Sequence, residues 1–115
     1  MAQKKAEQEL DKDTGMPTEV LDFGDRWGKW KVRGLLAEED FKAQDECMTI
    51  DATTGKQAID SVAMRINMIK LGTLESPDGP HPPTNMIRRI PSGMASKILA
   101  SIKKLSTPGG EAEKN

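Results

Sequence analysis

Apolar positions along the chain change their period several times, and each change marks an element. From Thr18 the period is two. In T-E-V-L-D-F-G-D-R-W-G-K-W-K-V-R, Leu21 and Phe23 alternate with polar residues, and so do Trp30 and Val32. A loop of Gly24-Asp25-Arg26-Trp27 sets Phe23 opposite Gly28 and Leu21 opposite Trp30, gathering Leu21, Phe23, Trp30 and Val32 on one face. This predicts a β-hairpin over residues 18–33. A lone hairpin is marginal in water, so its apolar face needs a helix to cover it.

The next period is helical. Glu38, Glu39 and Asp40 crowd the start of L-L-A-E-E-D-F-K-A-Q-D-E-C-M, where carboxylates meet the positive end of a helix dipole. Ala37, Phe41 and Met48 form its main apolar line, with Ala43 and Cys47 beside it, which predicts a short helix over 37–48. Thr49–Thr54 reads as a link. The longest periodic stretch follows, over 55–71, with Thr53 or Thr54 as N-cap and Gly72 as its stop. At roughly 100° per residue, Ile59, Val62, Ala63, Ile66 and Ile69 share one stripe, while Met64, Met68 and Leu71 fall nearly opposite. A helix apolar on two faces either sits centrally among other helices or offers one face to a partner. On the second reading the Met64–Met68–Leu71 stripe is the partner surface, since flexible thioethers adapt to varied contacts.

Four prolines between positions 77 and 83 make the following segment an extended loop with a turn at Asp78-Gly79. Thr84 can cap a short helical turn that Pro91 ends. The last helix, over 91–105, carries the stripe Met94, Ile98, Ile102 and Leu105, flanked by Ala95 and Leu99. Thr107-Pro108-Gly109-Gly110 stops it. The expected fold is therefore mainly α with a small β-hairpin (α+β): about three helices and an N-terminal hairpin in one domain over 17–106. Residues 1–16 and 107–115 are expected to be disordered tails, because neither can bury enough apolar area to offset ordering entropy.

Composition narrows the function. The 115 residues carry a formal net charge of −1, which removes a global electrostatic case for nucleic acid or anionic membrane. Charge is uneven, however: Arg88, Arg89, Lys97, Lys103 and Lys104 lie in an acid-free run over 84–105. Cys47 is the single cysteine, so no internal disulfide is available, and no run approaches the roughly 18 apolar residues of a membrane span. The N-terminal residues have no apolar core of the signal-peptide kind. The expectation is a soluble protein of the cytosol.

Candidate chemistry is sparse. Cys47 and His81, one of each, lack metal-ligand spacing, and nothing near His81 orients it as a base. T-T-G-K-Q fails as a phosphate loop, because Ile50 stands where Gly is needed and Gln57 where Ser or Thr is needed. Gly55-Lys56 is read instead as the first turn of a helix. No enzyme activity, metal or cofactor is expected. R-W-G-K-W-K-V-R interleaves cations with indoles, as single-strand binders do. Yet the alternation sends Trp30 to the core face and leaves Trp27, Lys29, Lys31 and Arg33 on the other. The acids of the following helix could neutralise that strip within the chain or across a self-association contact. A nucleic-acid partner is thereby disfavoured, and Trp27, Lys29, Lys31 and Arg33 join Met64, Met68 and Leu71 as candidate partner-binding residues.

The order of features resembles a known family. A strand ending V-R-G-L (Val32–Leu35), an acidic helix, a T-G-K turn, a longer helix, a P-D-G loop, an I-x-x-I-P step (Ile87–Pro91) and a final I-x-x-x-I-x-x-L helix (Ile98, Ile102, Leu105) are similar to the tail assembly chaperones of long-tailed, siphovirus-type bacteriophages. The likeness spans about residues 29–105. It departs at Leu36, where a Ser or Thr cap is common, and in the proline-dense loop. The resemblance implies a non-enzymatic protein of the host cytoplasm that keeps the apolar tape measure protein soluble and brings it to tail-tube subunits. It also implies absence from the finished particle and, often, a longer frameshifted form. Seven methionines and two-sided helices suit such a role, with homo-oligomers possible. The competing readings are a small nucleic-acid-binding regulator using the basic Trp hairpin, and a minor structural protein of a virus particle.

Overall fold

The computed structural model describes residues 9–108. The fold is α+β, helices packed on a small antiparallel sheet. Strands β1 (Thr18–Asp22) and β2 (Lys29–Arg33) form the expected hairpin in the expected register, with Leu21 opposite Trp30. Phe23 N–H donates to the Gly28 carbonyl at 2.9 Å. The connection closes as one helical turn, α1 (Gly24–Trp27). Trp30 and Val32 are fully buried, and Leu21 and Phe23 pack against the same core from its edge.

The covering helix is α5 (Ser92–Ser106), whose predicted stripe of Met94, Ile98, Ile102 and Leu105 is buried throughout. Beside it lies α3 (Ser61–Gly72). Gly72 sits so close to α5 that a Cβ there would stand 2.6 Å from Ile102 Cδ1. The chain then enters β5 (Thr73–Glu75), which pairs antiparallel with the free edge of β2 and makes β2 the centre of a three-stranded sheet. Thr73–Glu75 fall in the segment expected to be an extended loop. Three residues carry no periodic signal, and only the waiting edge of β2 makes them a strand. The turn at Asp78-Gly79 is present, with Gly79 N–H donating to Ser76 O at 2.8 Å. In α4 (Thr84–Ile87) the cap position is Pro83 rather than Thr84.

The largest correction lies between residues 48 and 62. Helix α2 (Ala37–Glu46) ends at Cys47, and the expected link and first turns of the central helix are a second hairpin of β3 (Met48–Ile50) and β4 (Gln57–Ile59). Asp51 Oδ1 accepts from Thr53 N at 2.7 Å and Thr54 N at 3.3 Å, and Gly55 takes φ +74°, open to glycine at little cost. Gly55-Lys56 is thus a hairpin turn, not a helical one. The true cap of α3 is Asp60, whose Oδ1 accepts from Val62 N and Ala63 N at 3.1 Å each. Every residue from Met48 to Val62 is exposed, so Ile59 and Val62 are not core.

Helix α2 also turns its other edge inward. Phe41, on the line expected to be buried, is 63% exposed, whereas Ala43 and Cys47 are buried. The small side chains let α2 approach α3, where Asn67 Nδ2 donates to Cys47 Sγ at 3.3 Å. Residues 1–8 and 109–115, half of the expected N-terminal tail and most of the C-terminal one, lie outside the described residues. From Glu9 to Met16 the chain makes defined contacts instead: Thr18 N–H donates to Glu9 O at 2.9 Å, and Lys31 Nζ lies 2.7 Å from the Glu9 carboxylate. Those partners on β1 and β2 supply what composition could not.

Candidate functional site

The seven residues picked from sequence do not form one surface. Arg33 is buried, its guanidinium forked onto Glu39 with two contacts of 2.8 Å, and it donates further to the Gly34 carbonyl at 2.9 Å. Glu39 Oε1 also accepts from Leu36 N at 2.9 Å, so one carboxylate ties β2 to the start of α2. The Arg33 bond holds the Glu39 carboxyl below the usual carboxylate range against partial burial, with Leu36 N–H assisting. The same contact raises the Arg33 pKa further. The intramolecular neutralisation expected of the acidic helix is therefore made at Arg33, which is withdrawn from any partner. Lys31 is engaged by Glu9. Trp27 is half-buried, with Arg26 over its ring at 5.2 Å and its carbonyl accepting from Trp30 Nε1 at 3.1 Å. Lys29 alone of the strip is exposed.

The methionine stripe is also drawn inward. Met68 and Leu71 pack against the core, and Met64 is half-buried. The open face of α3 is the one that periodicity assigned to the interior. There α3, α4 and the first half of α5 enclose a groove of about 530 Å³, large enough for several apolar side chains. Its apolar lining includes Val62, Ile66, Ala95 and Leu99, with buried Ile69, Ile87 and Ile90 behind them. Val62, at the α3 end, is 58% exposed. Arg65 and Arg88 stand on the rim, both exposed and neither ion-paired among the described residues. An apolar trough with cationic edges accepts an amphipathic helix that carries acids beside its apolar stripe.

A second hollow, about 560 Å³, lies between α2 and the last turn of α5 and is lined by Leu35, Ala37, Phe41 and Met68 together with Asp40 and Lys103. It brings one predicted residue, Met68, to a surface. None of the seven reaches the α3–α4–α5 groove. The signal for the groove was present in the sequence as the second apolar face of α3, but periodicity cannot say which face is covered.

Cys47 is buried at the end of α2, while His81 lies in the proline loop with Nδ1–H donating to the Lys70 carbonyl at 2.9 Å. Among the described residues no cluster of His, Cys, Asp and Glu is arranged to hold a metal ion, and no helix is long and apolar enough to cross a membrane. No known protein family, curated protein or solved structure matches this chain.

Proposed function

We propose that this protein is a non-enzymatic binding protein for apolar helices, acting as a phage tail assembly chaperone on the tape measure protein and tail-tube subunits. The observation that carries the binding part is the α3–α4–α5 groove: exposed Val62 and half-buried Ile66 and Leu99 line it between three helices, and Arg65 and Arg88, neither ion-paired among the described residues, lie at its edges. A rigid floor with a charged rim favours a helix over an extended strand, since anchors at i, i+3, i+4 and i+7 fit a trough of this kind. The order of elements from Val32 to Leu105 supports the tail assembly role. The nucleic-acid reading loses two of the hairpin's four cations, because Arg33 and Lys31 are already committed to Glu39 and Glu9.

The test is co-expression with a phage tape measure protein. Val62→Asp with Arg88→Glu changes two exposed positions, so the fold should survive by circular dichroism. The folded variant should lose the client from the soluble fraction, with affinity falling at least about tenfold. A folded variant that keeps the client soluble refutes the groove as the binding site.

A further inference from the structure

The hairpin of β3 and β4 stands away from the core. Among the described residues its strands pair only with each other, and every residue from Met48 to Ile59 is exposed. A two-stranded ribbon with nothing packed on it is marginal in water. The cross-strand pairs Met48–Ile59 and Ile50–Gln57 share one face, which is therefore largely apolar, and Ile50 on it is 64% exposed. Thr49 and Ala58 take the opposite face.

The ladder decides which backbone groups are spare. Asp60 N–H donates to the Cys47 carbonyl and Asp51 N–H to the Lys56 carbonyl, each at 2.9 Å, with the Thr49–Ala58 pair between them. Antiparallel pairs alternate between bonded and non-bonded, so Met48–Ile59 and Ile50–Gln57 are non-bonded pairs. The amides and carbonyls of Met48 and Ile50 thus point out of β3, away from β4. The residues that carry the apolar face also carry the open edge. Folded proteins guard such an edge with lysine, proline or a bulge. Strand β3 holds no charge and no proline, and its register is unbroken. Charges stand only at its ends. Glu46 precedes it and Asp51 follows it, both exposed and neither ion-paired among the described residues. Strand β4 runs instead from Lys56 to Asp60, whose carboxylate is occupied in capping α3.

We propose that the outer edge of β3 docks an extended segment of another protein, one that alternates apolar residues and carries a cation on either side of them. The segment adds as a third strand. Its backbone bonds Met48 and Ile50, its apolar side chains lie beside theirs, and its cations meet Glu46 and Asp51. A helix cannot use this edge, because its own backbone groups are already bonded. A second copy of β3 fits poorly, since antiparallel pairing of two such strands sets Glu46 of one beside Asp51 of the other at both ends. No residue of β3 lines the groove between α3, α4 and α5, so the site stands whether or not a helix binds there.

Amide hydrogen exchange of the full chain, read residue by residue by NMR, tests the proposal. The probe is a synthetic peptide of alternating valine and threonine with a lysine at each end, and the same peptide ended in glutamate is the control. In excess, the lysine peptide should slow exchange of the Met48 and Ile50 amides at least about tenfold, and the glutamate peptide should act far more weakly. Ile50→Pro removes an outward N–H and spares the Thr49–Ala58 rung, so affinity should fall at least about tenfold. Continued protection of the Thr49 and Ala58 amides shows the hairpin intact. Where proline unfolds it, Ile50→Lys is the second variant: it keeps the ladder, repels the lysine peptide and should narrow the gap between the two peptides. No slowing at Met48 and Ile50, slowing confined to Gln57 and Ile59, equal action of the two peptides, or unchanged affinity in a variant with an intact hairpin would each overturn the proposal. Slowing that grows with protein concentration in the absence of peptide makes a second copy the occupant and overturns it as well.

Discussion

Replacing Gly34 by alanine adds one methyl group at the closest approach that any described glycine makes to another backbone segment. Gly34 links β2 to α2 and is buried beneath the last turn of α5. A Cβ there would run into the Leu105 carbonyl oxygen and stand 2.8 Å from Ser106 N. These are backbone atoms of a helix, so no rotamer change relieves the overlap. The end of α5 must swing outward. That movement breaks the 2.8 Å bond from Leu35 N to Ser106 Oγ and loosens Ile102 and Leu105, which are 0% and 8% exposed. Overpacking of this kind costs about 1–3 kcal/mol, and the lost hydrogen bond adds about 1 kcal/mol. The total is about 2–4 kcal/mol. Urea unfolding followed by the emission of buried Trp30 reads this directly. With a slope of about 1.5 kcal/mol/M, the midpoint should fall by about 1.3–2.7 M. Gly93→Ala is the matched control: the same change on the exposed first turn of α5, where a Cβ meets nothing within 4 Å. It should be neutral or stabilising by up to about 1 kcal/mol, since glycine is a poor helix former. Gly34→Ala within about 0.5 kcal/mol of wild type, or the two variants shifting alike, would refute the argument.

Glu39, beside Arg33, has its carboxyl held below the usual range, as does Glu19, where the Ser101 hydroxyl and Lys104 ammonium outweigh burial. Both therefore contribute stability that is complete above the unfolded carboxylate pKa of about 4.3 and is lost as pH falls through the depressed folded values. Glu39→Gln should cost about 1–3 kcal/mol at neutral pH and lose less on acidification from pH 5 to 3 than wild type does; urea midpoints at pH 7 and 3 check this, and an unchanged acid dependence would count against it. Asp60→Ala, which removes the cap of α3, should cost about 1 kcal/mol, whereas Thr54→Ala should change stability by less than about 0.5 kcal/mol, because Thr54 lies in the β3–β4 turn. Equal effects at the two positions, measured by thermal melting, would restore a helix starting at residue 55.

Local pattern alone determined the elements whose signals agree with one another. In α5 the residues Met94, Ile98, Ile102 and Leu105 keep helical spacing between Pro91 and Pro108, and no competing period runs through them. In the first hairpin, alternation and loop length together admit one register, the one in which Leu21 faces Trp30. Where signals conflicted, tertiary contacts decided. Ile59 and Val62 continue the helical spacing of Ile66 and Ile69, yet Asp51 and Gly55 close a hairpin and Asp60 caps the helix after it. Aspartate and a turn glycine were visible in the sequence, but periodicity over a long window outweighed them. Helix α3 is apolar on two sides, and local sequence is indifferent to which is buried. The choice fell to Gly72, which lets α3 close against Ile102, and to Cys47 and Ala43, small enough to bring α2 onto its flank. Those contacts draw Met68 and Leu71 toward the core and leave Val62 and Ile66 lining a groove beside α4 and α5. A helix's own residues set how much apolar surface it has; its neighbours, far off in sequence, set which part of that surface stays open to a partner.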